Sequence, residues 1–181
     1  MTLRLRLGMV LLVVGCAAST VREPDASTDV VRTAVAPNEA VDLTRQTLLY
    51  SYEFAAPRDH VWHTLLDVEE ELGMPLESAD TTTGTVVFRL QTPTPRIAGK
   101  HASRYLDCGR GPGGTPRVDT YQLLLRLTAY VEFIAPERTL LRMALVGYAR
   151  DRGTTADQLP CTSTGQFERR ALAILTARLG P

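Results

Sequence analysis

The chain has 181 residues, 44% of them apolar, which is one domain's worth of sequence with enough apolar side chains for a real core. Lys plus Arg and Asp plus Glu each number 20, so the formal net charge is +0. A neutral chain lacks the basic field that phosphate backbones require, and nucleic acid is excluded as a default partner.

The amino end reads MTLRLRLGMVLLVVGC. Arg4 and Arg6 supply a positive start, Leu7 to Val14 a short apolar run, and Gly15 a small residue at a cleavage point, the pattern of a secretory signal over residues 1–15. The run is far shorter than the roughly 20 residues that span a bilayer as a helix. Val13-Val14-Gly15-Cys16 resembles the lipobox of bacterial lipoproteins. That resemblance implies cleavage before Cys16, a diacylglycerol on its thiol and a further acyl chain on the new amino group. Several acyl chains together hold a protein durably, at about 0.8 kcal/mol per buried CH₂. Ala17 stands after the cysteine where an Asp would imply retention in the inner membrane, so the resemblance implies the periplasmic face of the outer membrane. Without Arg4 and Arg6 the acidic residues outnumber the basic ones, so the expected membrane contact is the lipid and not a basic surface.

Assigning Cys16 to lipid leaves Cys108 and Cys161. In an oxidising compartment a remaining pair suggests one disulfide, worth about 4 kcal/mol by loop closure. The rival, a metal or catalytic thiol, has no Cys-x-x-Cys spacing behind it. From residue 16 to 46 small, charged and proline residues dominate and no period persists; a flexible tether is expected, with a segment packed as coil along the domain as the alternative.

A single α+β domain is expected over 47–181. TLLYSYEF alternates, placing Leu48, Tyr50, Tyr52 and Phe54 on one strand face. Pro57 opens a helix in which Val61, Leu65, Val68 and Leu72 share a face; Glu69, Glu70 and Glu71 crowd its last turn, and Gly73 stops it in a left-handed cap. LESADTTTGTVVFRL predicts a hairpin bent at Thr83-Gly84, with Val86, Phe88 and Leu90 inward. HASRYLDC predicts a further strand, and GRGPGGTP a loop.

In VDTYQLLLRLTAYVEFI, Tyr121, Leu123, Leu125, Leu127, Ala129, Val131 and Phe133 point to one face of a long, half-solvated strand. TLLRMALVGYA returns as its partner, with Leu141, Met143 and Leu145 inward. RDRGTTADQLPCTST reads as an exposed connection. Ser163 and Gln166 form a capping box before a closing helix through GQFERRALAILTARL. The order is β-α-β-β-β-β-β-α, an antiparallel sheet with two helices on one face.

The stretches YSYEFAAPRDHVWHTLLDVEEELGMPLESADTTTGTVVFR and YQLLLRLTAYVEF, with the closing CTSTGQFERRALAILTARL, resemble the domain of outer-membrane assembly lipoprotein C. The shared pattern is a strand, a helix holding Val61, Trp62 and Leu65, an ELG ending at Gly73, and a Thr-Gly hairpin, over Thr47 to Leu179. The resemblance implies a helix-grip-like α+β fold with a curved antiparallel sheet. It also implies a non-enzymatic accessory of the envelope complex that inserts outer-membrane barrels. That family has two such domains and a long N-terminal arm, whereas one domain and a short tether are read here.

No catalytic constellation is expected. His60, His63, Asp59 and Asp67 cluster on the first helix, but no local spacing supplies a third ligand, and His101 lies far along the chain. Ser103 and Ser163 have no nucleophile motif around them, and the glycine loop 109–114 lacks the Lys-Ser/Thr of a phosphate cradle, so no cofactor and no metal are expected. Trp62 is either an interface anchor or part of the core. Leu124, Tyr130 and Tyr148 fall on the solvent side of the long strands and, with Trp62, make a candidate partner surface. The functional expectation is a lipid-anchored, non-enzymatic envelope protein that is structural or binds another envelope component. The alternative is a carrier that holds a small apolar ligand between sheet and helix.

Overall fold

The structure, a computed structural model, describes residues 25–36, 39–151 and 158–180, with side chains from Leu48 onward. The signal segment, Cys16 and the first part of the expected tether lie outside the described residues.

The fold is mixed α+β. Its main sheet is antiparallel, in the order β1 (Asp25–Ala36), β2 (Glu39–Phe54), β9 (Arg138–Arg150), β8 (Gln122–Ala135), β4 (Thr85–Thr92) and β3 (Leu76–Asp80). The later half of β9 pairs with β10 (Leu159–Ser163), which in turn pairs with the two-residue β7 (Leu106–Asp107). A separate two-stranded ribbon joins β5 (Arg96–Ile97) to β6 (Lys100–His101). The helices are α1 (Arg58–Leu66), α2 (Glu69–Leu72) and α3 (Gln166–Leu179). α1 packs on β8, β9 and α3, while α3 also packs on β9.

Alternation builds the covered face. Leu123, Leu125, Leu127, Ala129 and Val131 of β8, Leu141, Met143, Leu145 and Ala149 of β9, Val86 and Phe88 of β4, and Tyr50, Tyr52 and Phe54 of β2 are all buried. Val61, Leu65, Val68 and Leu72 meet them from the helical layer, and Phe167, Ala171 and Leu175 from α3. Gly147 falls on the same face of β9. A Cβ there would stand 2.8 Å from a methyl of Leu106, so the missing side chain is what admits Leu106 to the core.

Several expectations need correction. The tether expected over 16–46 is β-structure from Asp25. There β1 pairs antiparallel with β2, from Asp25 opposite Leu49 to Ala36 opposite Glu39. The single helix expected after Pro57 breaks at Asp67-Val68. The break places Glu69, Glu70 and Glu71 in the first turn of α2, where the helix dipole favours them, and not in a last turn, where it opposes them. Val68 and Leu72 stay fully buried across it. Gly73 does take the left-handed cap, at φ 67°, and donates to the Glu69 and Glu70 carbonyls.

HASRYLDC is not one strand but β6, a 3₁₀ turn over Ala102–Arg104 and β7. The connection expected after β9 includes β10, so the chain gains a strand where Pro160 and two polar residues had masked the pattern. Ser163 and Gln166 do not form a capping box. Gly165, at φ 75°, precedes α3, and Ser163 Oγ binds the Glu168 carboxylate instead. The Thr83-Gly84 bend forms as expected: the Asp80 carboxylate accepts from Thr82 N at 2.8 Å, and Val131 N donates to the Gly84 carbonyl at 2.8 Å. A Cβ at Gly84 would lie 2.5 Å from the Val131 carbonyl, so this turn requires glycine for space as well as for its φ of 68°.

Candidate functional site

The helices cover one face of the sheet. Among the described residues, the other face of β4, β8 and β9 carries no helix, and it is the candidate site. Register places Gln91 opposite Leu124, Leu124 opposite Tyr148, Arg126 opposite Val146, Thr128 opposite Ala144, and Tyr130 opposite Arg142. The face thus mixes apolar Leu124, Ala144, Val146 and Tyr148 with the arginines Arg126 and Arg142.

A groove of about 460 Å³ runs along it, lined by Glu77, Arg89, Leu124, Arg126, Thr128, Val146 and Tyr148. A second groove of about 120 Å³ continues past Arg89, Leu124 and Tyr148 to Gln122, Arg150 and Gln158. Arg89 and Arg126 are cross-strand neighbours, a repulsive pairing on its own. Glu77 relieves it by reaching Arg89 at 3.1 Å and Arg126 at 3.4 Å. Arg142 pairs with Glu132, and Arg138 with Glu53, at the opposite margin.

Leu124 and Tyr148, expected on the solvent side, line both grooves. Tyr130 is 39% exposed on the same strand face. Trp62 does not belong to this surface. It is 4% exposed, packed in the core beside Val61 and Leu65, with the Arg58 guanidinium 5.8 Å from its ring. A helix offers two sides to an apolar stripe, and Trp62 takes the inner one.

Two residues extend the surface beyond the sequence reading. Phe133 and Ile134, at the β8 end, are 62% and 40% exposed. Alternation assigns Phe133 to the covered face, but β8 outruns the cover. Its 14 residues extend about 46 Å at strand rise, against about 14 Å for the nine residues of α1 at helix rise. A register shift between Phe133 and Ala135 also interrupts the pairing there. The Pro136-Glu137 turn signal was the available hint that the strand ended in solvent.

A buried polar cluster lies under α3. Ser163 Oγ sits 2.7 Å and 2.9 Å from the two Glu168 carboxylate oxygens and accepts from Gly165 N at 3.0 Å. Burial pushes the Glu168 carboxyl up from its ordinary range, against the opposing pull of the Ser163 hydrogen bond. The Tyr52 phenol is also pushed up, first by burial and then by the charge of Glu168, and Tyr50 follows the same pattern. The Tyr52 hydroxyl is buried with no hydrogen-bond partner among the described residues. Glu168 occupies the first turn of α3, so its carboxylate also meets the positive end of the helix. The cluster fastens α3 to β10 and holds no histidine or thiol that could activate Ser163.

Cys108 and Cys161 form a disulfide that ties the loop after β7 to β10. His60, His63 and Asp67 are exposed along α1. Among the described residues, no three His, Cys, Asp or Glu side chains gather in a metal-binding group, and no helix is long and apolar enough to cross a membrane.

No family model matches the sequence, and no curated protein matches it. Among solved structures, a DUF4468 family protein from Bacteroides ovatus aligns over 62% of this chain at 12% identity with a TM-score of 0.33; the match spans 60% of that protein's length. So slight a likeness adds nothing to the account of the site.

Proposed function

We propose that the chain is a lipid-anchored, non-enzymatic envelope protein that docks a protein component of the cell envelope through the uncovered sheet face and its apolar end. The observation that carries this proposal is the gathering of Tyr130, Phe133 and Ile134, all large and exposed, at one end of β8, the strand whose Leu124 lines the groove with Tyr148. Exposed aromatic and aliphatic side chains interleaved with arginines are the residue types that protein interfaces enrich.

The address is supported by the lipobox-like segment ending at Cys16 and by the Cys108–Cys161 bridge, a bond characteristic of oxidising compartments. The carrier alternative calls for an apolar chamber between sheet and helices. Tyr52, Phe88, Phe167, Leu65 and Met74 fill that space, and the larger grooves described lie on outer surfaces.

Photo-crosslinking in native cells tests the proposal. A crosslinker replacing Tyr130 is expected to give a discrete adduct with an envelope protein, and one replacing the exposed His63 on the helical side to give none. Recovery of barrel-assembly proteins would extend the proposal to the role that the resemblance implies. Equal labelling from both positions would contradict a docking face. Labelling with radioactive palmitate, lost in Cys16→Ser, tests the anchor separately.

A further inference from the structure

Away from both sheet faces, a groove of about 440 Å³ opens where the chain after β6 meets the start of α3. It is lined by Lys100, Arg104, Tyr105, Gln166, Arg169 and Arg170. Four of these six are cations, in a chain whose formal charge is zero.

The arrangement is only partly compensated. Among the described residues none of the four forms an ion pair. The nearby Glu71 carboxylate is taken by Arg178, and Arg170 meets only the Glu71 backbone carbonyl. Glu168 is buried against Ser163; Arg169 feels its charge, but the two form no ion pair among the described residues. Elsewhere this protein does pair its arginines: Glu77 serves Arg89 and Arg126, Glu53 serves Arg138 and Glu132 serves Arg142.

The cations are also held in place. Thr164 Oγ1 donates to the Arg104 carbonyl at 2.7 Å, and Thr164 N to the Tyr105 carbonyl at 2.9 Å. The Tyr105 ring meets Phe167 edge-on at 5.5 Å, and the Cys108–Cys161 bridge closes the same junction. Arg169 is steadied by the Thr164 carbonyl at 3.3 Å. The fold therefore keeps four like charges around one groove, and charges closer than the Debye length of about 8 Å feel one another. Such a concave, single-sign site concentrates counter-ions, and guanidinium forks match the oxygens of a phosphoryl group.

We propose that this groove binds a phosphoryl-bearing anion, with Lys100, Arg104, Arg169 and Arg170 as its ligands. The proposal does not depend on the lipid anchor or on the docking face.

The test uses the purified chain at fixed ionic strength. Calorimetry with inorganic phosphate, and co-sedimentation with phosphatidylglycerol vesicles against phosphatidylcholine vesicles, separate a soluble phosphate from a lipid headgroup. The double variant Lys100→Glu/Arg104→Glu changes two exposed side chains that make no hydrogen bond holding the fold. It should lower affinity for whichever probe binds by about tenfold or more, in line with the loss of charge-assisted hydrogen bonds. Arg126→Glu, on the sheet face, should leave that affinity unchanged. Phosphate binding lost in the double variant assigns a soluble ligand, and vesicle binding lost in it assigns a headgroup. Binding of neither probe, or binding that Arg126→Glu weakens as much as the double variant does, would overturn the proposal. A circular-dichroism melt of the double variant matching the parent guards against misfolding; a variant that melts early is replaced by Arg104→Gln alone, judged by the same criterion.

Discussion

The two faces of this sheet share strands, register and alternation, yet they have opposite fates. Leu123, Leu125 and Leu127 vanish under the helices, while Leu124 and Tyr130, their neighbours on the same strand, remain at the surface. The difference shows that amphipathic alternation sets which side a residue takes, and the reach of the covering layer sets whether that side is filled. Where β8 outruns its cover, even the inward parity fails, and Phe133 emerges into solvent.

The sharpest way to break the comparison is to truncate adjacent leucines. Leu125→Ala is expected to cost about 3–5 kcal/mol in urea denaturation, because it leaves a cavity in a closed core. Leu124→Ala should cost no more than about 1 kcal/mol. Equal losses would mean that something in the free protein covers both faces.

Next in size is the disulfide, which staples the helical end of the molecule and has no counterpart at the β8 tip. Cys108→Ser/Cys161→Ser should lower stability by about 2–4 kcal/mol, read from the shift in denaturation midpoint.

A smaller effect separates the buried polar cluster from the exposed ion pairs. Burial raises the Glu168 carboxyl above its unfolded value of 4.5, so the folded state holds this proton more tightly than the unfolded state. The stability it contributes is full below that value and is lost as pH rises through the folded pKa. Glu168→Gln keeps an acceptor for Ser163 and removes the charge. Its melting temperature should exceed the parent's at pH 7, and the gap should close as pH falls towards 4. A gap that widens towards acid would reverse the assigned sign.

Much of the covered face could be read from sequence, because period two in β4, β8 and β9 and the Val61-Leu65-Val68-Leu72 line in the helical layer each commit a full set of side chains to one side. The same parity placed Leu124, Tyr130 and Tyr148 on the uncovered face. What parity cannot carry is the extent of the cover, and so Phe133 was assigned to the covered face, Ile134 went unassigned, and Trp62, on the inner flank of its helix, stayed open between two roles. β1 and β10 were missed for another reason. Their residues are mostly small, polar or proline, and pairing with a neighbouring strand, rather than an apolar period, makes them strands. Glu168 was hidden because a carboxylate near a helix start ordinarily faces water; here it is drawn inward by Ser163, five residues earlier and on a different element.

The central claim is that the uncovered face and its apolar end serve a partner and not the fold. The most direct measurement compares the parent with a Tyr130→Ala/Phe133→Ala/Ile134→Ala variant in native cells, following thermal stability and co-migration with envelope proteins on native gels. The account predicts a melting temperature within about 4 °C of the parent and loss of the co-migrating complex. A complex that survives the triple change, or a melting temperature that collapses as Leu125→Ala should make it do, would contradict the account.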